Sequence, residues 1–495
     1  MTAQPEVQPR EDRTLARPRV VLAVATAAVL VALVPIPGLT PRAHGTLTLL
    51  VAAAGLWTTE AVPIAWTSLL IPALAVLLGI ADAKTAFAGF GDPILFLFFG
   101  TFLLTTAAFD HGLQARLTHA VLDRESMRRD PAKLLWAVAI LGCTISMWVN
   151  NTATTALLLP VALTAVRRAG PRLLTGVLLM TAYGPSLGGI ATPVGTAPNL
   201  IGLRLLANAT GETVSFARWV LDFMPLALLF TLLSGMWFHL LSRREHRRAE
   251  PGADAPPVRV AGAPGTGRWS LAERTLVPLY ALVILLWILP GILQATALRD
   301  AGWLKTWSSR LPETCVPLLG GLALFLLPAQ SRATRMPGKP VRILDASVLG
   351  RIDWSTLLLF GGGLSLGGLM FETGLARALG DAIFHVIPVQ GMFGIVFASC
   401  LMAVLVSEVT SNTASAGLVV PIVLALAQAA GVDPLKPAIA ATVACSFGFM
   451  LPVSTPPNAL VYSTGQVRIR DMVRFGFLLD VVGILLISFW VTYCT

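Results

Sequence analysis

Residues 407–415 read Ser407-Glu408-Val409-Thr410-Ser411-Asn412-Thr413-Ala414-Ser415, and this polar stretch lies in the middle of an otherwise apolar segment, 388–430. The apolar segment 134–166 carries a matching stretch, which reads Ser146-Met147-Trp148-Val149-Asn150-Asn151-Thr152-Ala153-Thr154-Thr155. A polar break inside an apolar span is tolerated only where the backbone is buried in protein or lines a cavity. We therefore predict that each segment is a re-entrant helical hairpin whose polar tip lies inside the protein.

Two more apolar segments, 173–203 and 435–464, are interrupted near their middle. The interruptions read Gly188-Gly189-Ile190-Ala191-Thr192-Pro193-Val194-Gly195 and Leu451-Pro452-Val453-Ser454-Thr455-Pro456-Pro457. Such runs of glycine, proline and hydroxyl residues predict helices that are broken in mid-membrane.

These features recur at a nearly constant spacing, which predicts two structural repeats. A spacing of 261 residues separates Asn151-Thr152-Ala153 from Asn412-Thr413-Ala414, Phe99-Gly100 from Phe360-Gly361, and Pro160 from Pro421. The pair Pro198-Asn199 and Pro457-Asn458 differs by 259. Landmarks that keep both their order and their spacing are hard to obtain by chance.

The composition predicts an all-α polytopic membrane protein, and the order of the apolar spans predicts about eleven transmembrane helices plus the two hairpins. Of the 495 residues, 55% are hydrophobic and only 13% are charged, whereas soluble domains carry roughly 25% charged residues. The net charge of +10 is attributed to basic residues in the loops that stay on the inner side of the membrane, and not to nucleic-acid binding. The five cysteines show no CxxC or metal-type spacing.

The distribution of basic residues predicts the orientation of the chain. With the N-terminus inside, 27 of the 36 Lys and Arg residues fall in the inside segments 1–20, 111–133, 166–172, 240–274, 330–351 and 466–474. The predicted parts are a cytoplasmic tail 1–19, a first helix and first repeat 20–241, a cytoplasmic linker 242–270 and a second repeat 271–495. The repeats are then inverted, the N-terminus is cytoplasmic and the C-terminus is external in the cell inner (plasma) membrane.

The predicted site has no basic side chain. No Lys or Arg occurs in 134–166, 173–203, 388–435 or 437–467, so a bound divalent anion would have no protein cation to neutralise it. Co-bound cations would supply that charge, and sodium suits neutral oxygen ligands. Protons stay an alternative because Glu408 and Asp353 lie near these segments, although a structural role is favoured for Glu408.

Other classes of function are disfavoured. A membrane enzyme would need a cluster of titratable or metal-binding groups, and the six histidines are scattered. No Walker motif is present for an ATP-driven pump. A channel would need a continuous polar pore.

From about Gly45 to its end the chain resembles the divalent anion/sodium symporter family, which takes up dicarboxylates, citrate or sulfate. The resemblance depends on Thr58-Thr59-Glu60-Ala61-Val62-Pro63-Ile64, Asn151-Thr152-Ala153-Thr154, Gly195-Thr196-Ala197-Pro198-Asn199, Ser411-Asn412-Thr413-Ala414 and the run from Leu451 to Asn458. The sequence departs from the family at Asn150, where serine is usual, and at Ala197, where proline is usual.

The resemblance implies a homodimeric elevator-type transporter in the lipid bilayer, with co-transported sodium. It implies one sodium site at Ser146, Asn150, Asn151 and Gly195, and another at Ser407, Thr410, Asn412 and Ser454. The implied substrate contacts are Asn151, Thr152, Thr196, Asn412, Thr413, Thr455 and Pro456. Sodium-coupled import of C4-dicarboxylates such as succinate is the favoured function; a sodium-independent dicarboxylate exchanger or a sulfate transporter is the alternative.

Overall fold

The structure of the protein is a computed structural model that describes residues 17–122, 131–165, 171–246, 269–294, 296, 301–330, 342–386 and 391–495. The predicted tail 1–19 and the predicted linker 242–270 lie mostly outside the described residues. Nearly all of the regular structure that is described is helical, so the prediction of an all-α fold is confirmed.

Ten helices of the described first half are labelled here in chain order. They are α1 Pro18–Leu33, α2 Pro41–Thr59, α3 Ile64–Leu77, α4 Pro93–Asp110, α5 Leu113–Leu122, α6 Pro131–Ser146, α7 Asn151–Ala165, α8 Pro171–Gly189, α9 Ala197–Thr210 and α10 Phe216–His246. Short helical turns, Ala83–Ala86 and Ala88–Gly91, precede α4.

The described second half continues the same kind of architecture. Its helices are α11 Leu271–Gln294, α12 Gly302–Arg310, α13 Cys315–Ala323, α14 Trp354–Glu372, α15 Leu375–Val386, α16 Gly391–Val409, α17 Asn412–Ala429, α18 Leu435–Ala444, α19 Pro456–Ser463 and α20 Ile469–Tyr493. A 3-10 helix, Ala346–Arg351, precedes α14.

Several helices are suited to a membrane by their length and composition. Among the described residues, seven are long and apolar enough to cross one: Pro93–Asp110, Phe216–Ser242, Leu271–Gln294, Trp354–Glu372, Gly391–Val409, Asn412–Ala429 and Ile469–Tyr493. Shorter apolar helices include α1, α3 and α18. The chain is therefore a multi-pass membrane protein, while the count of eleven crossings stays a prediction.

Polar residues at the helix starts explain where several elements begin. Asp92 accepts a hydrogen bond from the amide of Ile94 at 3.0 Å, and Pro93 then opens α4. Asp353, considered above as a proton carrier, caps α14 by accepting from the amide of Thr356 at 3.1 Å. These carboxylates satisfy amide groups that the first turn of a helix leaves unpaired.

The two polar stretches form the tips that connect paired helices. Residues 147–150 separate α6 from α7, and residues 410–411 separate α16 from α17. In each pair the two helices pack against each other. Two packed helices joined by a short polar tip are thus present at both places, whereas re-entry from one side of the membrane stays a prediction.

Helices from the two halves of the chain pack against each other around these tips. Helix α7 packs against α19, and α9 packs against α17 and α18. The hydroxyl of Tyr183 on α8 donates to the carbonyl of Phe449 at 3.0 Å, which joins the first half to the segment between α18 and α19. The candidate site therefore lies where the halves meet.

Candidate functional site

The first polar tip is organised by one serine and two asparagines. The hydroxyl of Ser146, at the end of α6, donates to Oδ1 of Asn151, at the start of α7, at 2.6 Å. Oδ1 of Asn150 accepts from the amide of Thr152 at 2.7 Å, so Asn150 caps α7. The C-terminus of one helix and the N-terminus of the next are thereby held side by side.

The second polar tip repeats this arrangement. The hydroxyl of Ser407 lies 2.8 Å from Oδ1 of Asn412 and 2.7 Å from the carbonyl oxygen of Cys445. Ser411 caps α17 by accepting from the amide of Ala414 at 3.3 Å. Serine and asparagine are five residues apart at both tips, and the capping residue precedes the asparagine at both.

The first helix break, residues 190–196 between α8 and α9, is bonded to the first tip by its polar side chains. The hydroxyl of Thr192 donates to the carbonyl of Met147 at 2.5 Å. Nδ2 of Asn199, on α9, donates to the carbonyls of Gly189 at 3.0 Å and Thr192 at 2.8 Å. Asn199 thus binds carbonyl groups that the interrupted helix leaves without their usual amide partners.

Asn458 stabilises the second helix break, residues 445–455 between α18 and α19, in the same manner. Its Nδ2 donates to the carbonyls of Gly448 at 2.9 Å and Leu451 at 3.1 Å. These partners stand ten and seven residues before Asn458, as Gly189 and Thr192 stand before Asn199. The two breaks therefore share one local structure.

Glu408 fastens the second break to the second tip. Its carboxylate accepts from the amide of Met450 at 2.8 Å, from the amide of Leu451 at 3.3 Å and from the hydroxyl of Ser454 at 2.8 Å. The Ser454 hydroxyl also lies 2.8 Å from the carbonyl oxygen of Glu408. A buried carboxylate with three donors of this kind is well satisfied, which gives Glu408 the structural role expected for it.

Glycines let the tips approach the breaks closely. A Cβ at Gly189 would lie 2.7 Å from Oδ1 of Asn151 and 3.1 Å from Cβ of Thr196. Likewise a Cβ at Gly448 would lie 3.1 Å from the carbonyl oxygen of Ser407 and 3.3 Å from Oδ1 of Asn412. A side chain at Gly189 would therefore displace Asn151, and one at Gly448 would require its neighbours to move by a few tenths of an ångström.

The structure brings most of the predicted sodium ligands together. At the first tip, Ser146 contacts Asn151, and Gly195 packs on the carbonyl of Gly189, which itself contacts Asn151. At the second tip, Ser407 and Asn412 meet Ser454 around Gly448. All but Asn151, which is partly exposed, are buried.

Two of the predicted sodium ligands use their oxygen atoms elsewhere. Oδ1 of Asn150 is exposed and caps α7. The hydroxyl of Thr410 shares a hydrogen bond of 2.6 Å with the hydroxyl of Ser415. Both residues still lie in the tips, so their assignment as ligands stays a prediction.

The predicted substrate residues lie at helix N-termini. Thr152 and Thr413 are partly exposed in the first turns of α7 and α17. Thr455 caps α19 by accepting from the amide of Asn458 at 3.3 Å, whereas Thr196 makes no side-chain cap for α9. Pro456 is exposed at the first position of α19.

This geometry offers suitable groups to both a cation and an anion. The C-termini of α6 and α16 present carbonyl oxygens and a partial negative charge, and the N-termini of α7 and α17 present amides and a partial positive charge. No group of three or more His, Cys, Asp or Glu that could hold a metal ion is found in the described part of the chain. The oxygen atoms here are hydroxyl, amide and backbone oxygens, a neutral ligand set that fits sodium.

Sequence reasoning did not assign site roles to Asn199, Asn458 and Gly448. A signal for the two asparagines was present, because Pro198-Asn199 and Pro457-Asn458 recur in both halves. The bonds to carbonyls ten and seven residues earlier depend on the path of the break and are visible only in the structure.

Interlocked helix pairs, polar tips and broken helices define a polytopic membrane transporter, and the comparisons with known proteins agree. The chain belongs to the sodium:sulfate symporter family, whose transmembrane region matches residues 16–494. The resemblance found in the sequence is thereby confirmed, and the protein is a transporter and not an enzyme.

Relatives extend over most of the chain. A transporter of uncharacterised function from Haemophilus influenzae is 31% identical over 459 residues, covering 90% of this chain and 91% of the relative. The sodium-dependent dicarboxylate transporter SdcS of Staphylococcus saprophyticus is 29% identical over 446 residues, covering 87% and 82%. SdcS of Staphylococcus aureus strain NCTC 8325 is 28% identical over 451 residues, covering 88% and 83%.

Solved structures support the fold. The YdaH transporter of Alcanivorax borkumensis aligns with a TM-score of 0.54 at 13% identity, covering 91% of this chain and 99% of that one. MtrF of Neisseria gonorrhoeae aligns with a TM-score of 0.57 at 14% identity, covering 96% and 94%. At these identities the likeness shows the fold alone.

Proposed function

We propose that the protein imports divalent anions by sodium-coupled symport, with C4-dicarboxylates such as succinate as the favoured substrates. The observation that carries this proposal is the pair of matched tips, in which the Ser146–Asn151 and Ser407–Asn412 hydrogen bonds hold a helix C-terminus beside a helix N-terminus. Sodium ions bind on the side of the C-termini, and the anion binds at the N-termini.

The charge balance supports coupling to a cation. The segments that form the tips and breaks hold no Lys or Arg. Arg204, which follows on α9, donates from Nε to Oδ2 of Asp92 at 2.5 Å and is thereby already paired. A dicarboxylate in this site therefore takes its neutralising charge from co-bound ions, because an uncompensated buried charge is very costly.

The residues assigned to this function are those of the two tips and two breaks. The proposed sodium ligands are Ser146, Asn150, Asn151 and Gly195 at the first site, and Ser407, Thr410, Asn412 and Ser454 at the second. The proposed substrate contacts are Asn151, Thr152, Thr196, Asn412, Thr413, Thr455 and Pro456. The inverted repeat, the homodimer, the elevator motion and the placement in the inner membrane belong to the same proposal.

A dicarboxylate substrate is supported by the names of the staphylococcal relatives, which are sodium-dependent dicarboxylate transporters. Sulfate is the second candidate, because the family as a whole is described as sodium:sulfate symporters.

Uptake into proteoliposomes tests the proposal. Labelled succinate, citrate and sulfate are offered with an inward sodium gradient and, in parallel, with choline in place of sodium. We expect saturable succinate uptake that requires the gradient. Sulfate uptake without succinate uptake would reassign the substrate, and uptake driven only by internal dicarboxylate would replace symport with exchange.

A further inference from the structure

A buried carboxyl group on α20 takes no part in the site described above. Asp480 is 3% exposed. Within the described residues, neither of its carboxylate oxygens has a hydrogen-bond partner. An ionised carboxylate accepts hydrogen bonds at both oxygens, and burying it without partners is very costly. Asp480 is therefore not a structural anchor of the kind that Glu408 provides.

The face of α20 that carries Asp480 packs on the second helix break. A Cβ at Gly476 would lie 2.4 Å from the backbone of Phe449, and a Cβ at Gly483 would lie 2.5 Å from the Phe447 ring. Residues four before and three after Asp480 share its face of the helix. Asp480 is thus held against the backbone that binds the Glu408 carboxylate.

The two carboxyl groups are unequal neighbours. Glu408 and the Phe449 backbone are the groups that act on Asp480. Glu408 has three well-placed donors, whereas no donor among the described residues reaches the Asp480 oxygens with hydrogen-bond geometry. Two like charges at such a place cannot both be stable in a low dielectric. A proton on Asp480, the carboxyl group that no donor satisfies among the described residues, removes the conflict.

The fold itself does not require an acidic residue here. The position 261 residues before Glu408 is Met147, a buried apolar side chain in the otherwise matching first tip. Glu408 is therefore an addition to the second tip, and with it the acidic neighbour that Asp480 meets there.

Among the described residues, the charged side chain that acts on Asp480 is Glu408, and no basic side chain is among the groups that perturb it. The titratable and charged side chains on the elements around α20 include Glu408 and Cys400 on α16, Lys436 on α18 and Cys445 after it, Arg172 and Tyr183 on α8, and Arg218, Asp222 and His239 on α10. Tyr183 interacts electrostatically with both Asp480 and Glu408. It is an acid and brings no positive charge.

Several basic groups of these elements are engaged elsewhere or exposed, and the His239 ring packs on Trp136 of α6 with 6.4 Å between ring centroids. Nζ of Lys436 donates to the carbonyl of Thr492 at 2.9 Å, which is twelve residues or about 18 Å further along α20. Arg218 donates to the carboxylate of Asp222 at 2.6 Å. On α20 itself, Arg470 and Arg474 are exposed near its beginning.

We propose that Asp480 is a proton-binding site of this transporter, separate from the sodium ligands and coupled to the second sodium site through Glu408 and Ser454. The proton comes from water and gives Asp480 an O–H group. Loss of this proton adds a negative charge beside the second tip, so sodium binding there and protonation of Asp480 oppose each other.

The first measurement reads the proton directly and does not depend on transport. Infrared spectra of the full-length protein in lipid are recorded from mildly acidic to mildly alkaline buffer. We expect the C=O band of a protonated carboxyl group that is lost in Asp480→Asn. It should persist in Asp471→Asn, a control on the same helix whose carboxylate receives a 2.9 Å bond from Arg468. If Asp480→Asn does not fold, Asp480→Glu must shift the band; a band unchanged in both, or no band at any pH, overturns the proposal.

The second measurement rests on the proposed function. In the wild type the apparent sodium affinity of succinate binding should fall as the pH is lowered, by up to about tenfold per pH unit for one linked proton. Asp480→Asn should bind sodium weakly and with no pH dependence, whereas Asp471→Asn should behave as the wild type. An equal pH profile in Asp480→Asn and wild type overturns the coupling. An Asp480 band without saturable sodium binding instead rejects symport and leaves the proton site in place.

Discussion

Ser407 and Asn412 are joined across a helix break by a hydrogen bond of 2.8 Å from the serine hydroxyl to Oδ1 of the asparagine. The same bond, at 2.6 Å, joins Ser146 to Asn151 in the first half of the chain. Each bond uses one of the two lone pairs of the amide oxygen, so the other can still meet a cation, and the NH₂ group is left to donate elsewhere. In Asn412 this group also lies 3.4 Å from the carbonyl oxygen of Ser446. A pair of amide donors next to helix N-termini is a suitable receptor for a dianion.

Removing either amide should therefore remove substrate binding. In Asn151→Ala and Asn412→Ala we expect loss of saturable uptake, because each charge-assisted contact contributes roughly 1.5–3 kcal/mol, or about 10- to 150-fold in affinity. Labelled succinate binding in detergent and uptake in proteoliposomes measure the effect.

The control for these variants is Asn208→Ala, which truncates an exposed asparagine on α9. It should bind and transport as the wild type does. Transport within about twofold of wild type in both tip variants, a difference of only about 0.4 kcal/mol, would show that the tips are not the substrate site.

Asn199 and Asn458 should matter for stability as well as for binding. Each donates to two break carbonyls and is fully buried. Substitution by alanine leaves these acceptors unsatisfied, at a cost of about 1–3 kcal/mol each. Thermal unfolding in detergent should show a lower midpoint for both variants and an unchanged midpoint for Asn208→Ala. An unchanged midpoint would mean that the breaks are stabilised elsewhere.

Glu313 should make stability depend on pH. It lies in the loop between α12 and α13, outside the candidate spans, and accepts from the amide of Phe216 at 3.0 Å. Burial raises the pKa of Glu313 to about 7, against a smaller lowering from that hydrogen bond. Because the folded state holds the proton more tightly than the unfolded chain, this stability is present at low pH and is lost as the pH rises through about 7.

Replacement by glutamine keeps the acceptor and removes the titration. Thermal midpoints of Glu313→Gln should therefore change less between mildly acidic and neutral buffer than those of the wild type. Glu212→Gln, at an exposed position, is the control. A wild type whose midpoint rises over this range relative to Glu313→Gln would contradict the sign.

The membrane orientation follows from charge alone and needs its own test. Cysteines introduced into the linker 243–268, in a background without the five native cysteines, should react with a membrane-impermeant reagent only after the cells are opened. A cysteine at Thr495 should react in intact cells. Linker labelling from outside would reject the inverted-repeat arrangement.

The sequence predicted the helical class, the positions of the breaks and the residues of both tips, because polar groups are rare in apolar segments and their positions are informative. It did not predict that Asn150 is a helix cap or that Thr410 bonds to Ser415. Such bonds depend on backbone direction within the break. Asp480 was missed because its neighbour Glu408 is 72 residues away in the chain, so only the fold brings them together.

The final prediction concerns Asn150, where the family usually has serine. In the structure its Oδ1 caps α7, and serine at the matching position of the second tip, Ser411, caps α17 in the same way. Asn150→Ser should therefore fold normally and keep the helix start, since serine and asparagine are about equally good caps.

If Asn150 is also a sodium ligand, the shorter side chain changes the distance to the ion and leaves the anion contacts intact. Asn150→Ser should then shift the sodium concentration for half-maximal succinate uptake more than it changes the maximal rate. The reciprocal variant Ser411→Asn changes a cap that is not a proposed ligand, so its apparent sodium affinity should stay within about twofold of wild type.

Calorimetric binding of succinate with choline in place of sodium completes the test, because linkage requires substrate affinity to fall when the coupled ion is absent. Undiminished affinity without sodium would reject symport, and equal sodium affinity in Asn150→Ser and wild type would remove Asn150 from the ligand set while leaving its role as the cap of α7.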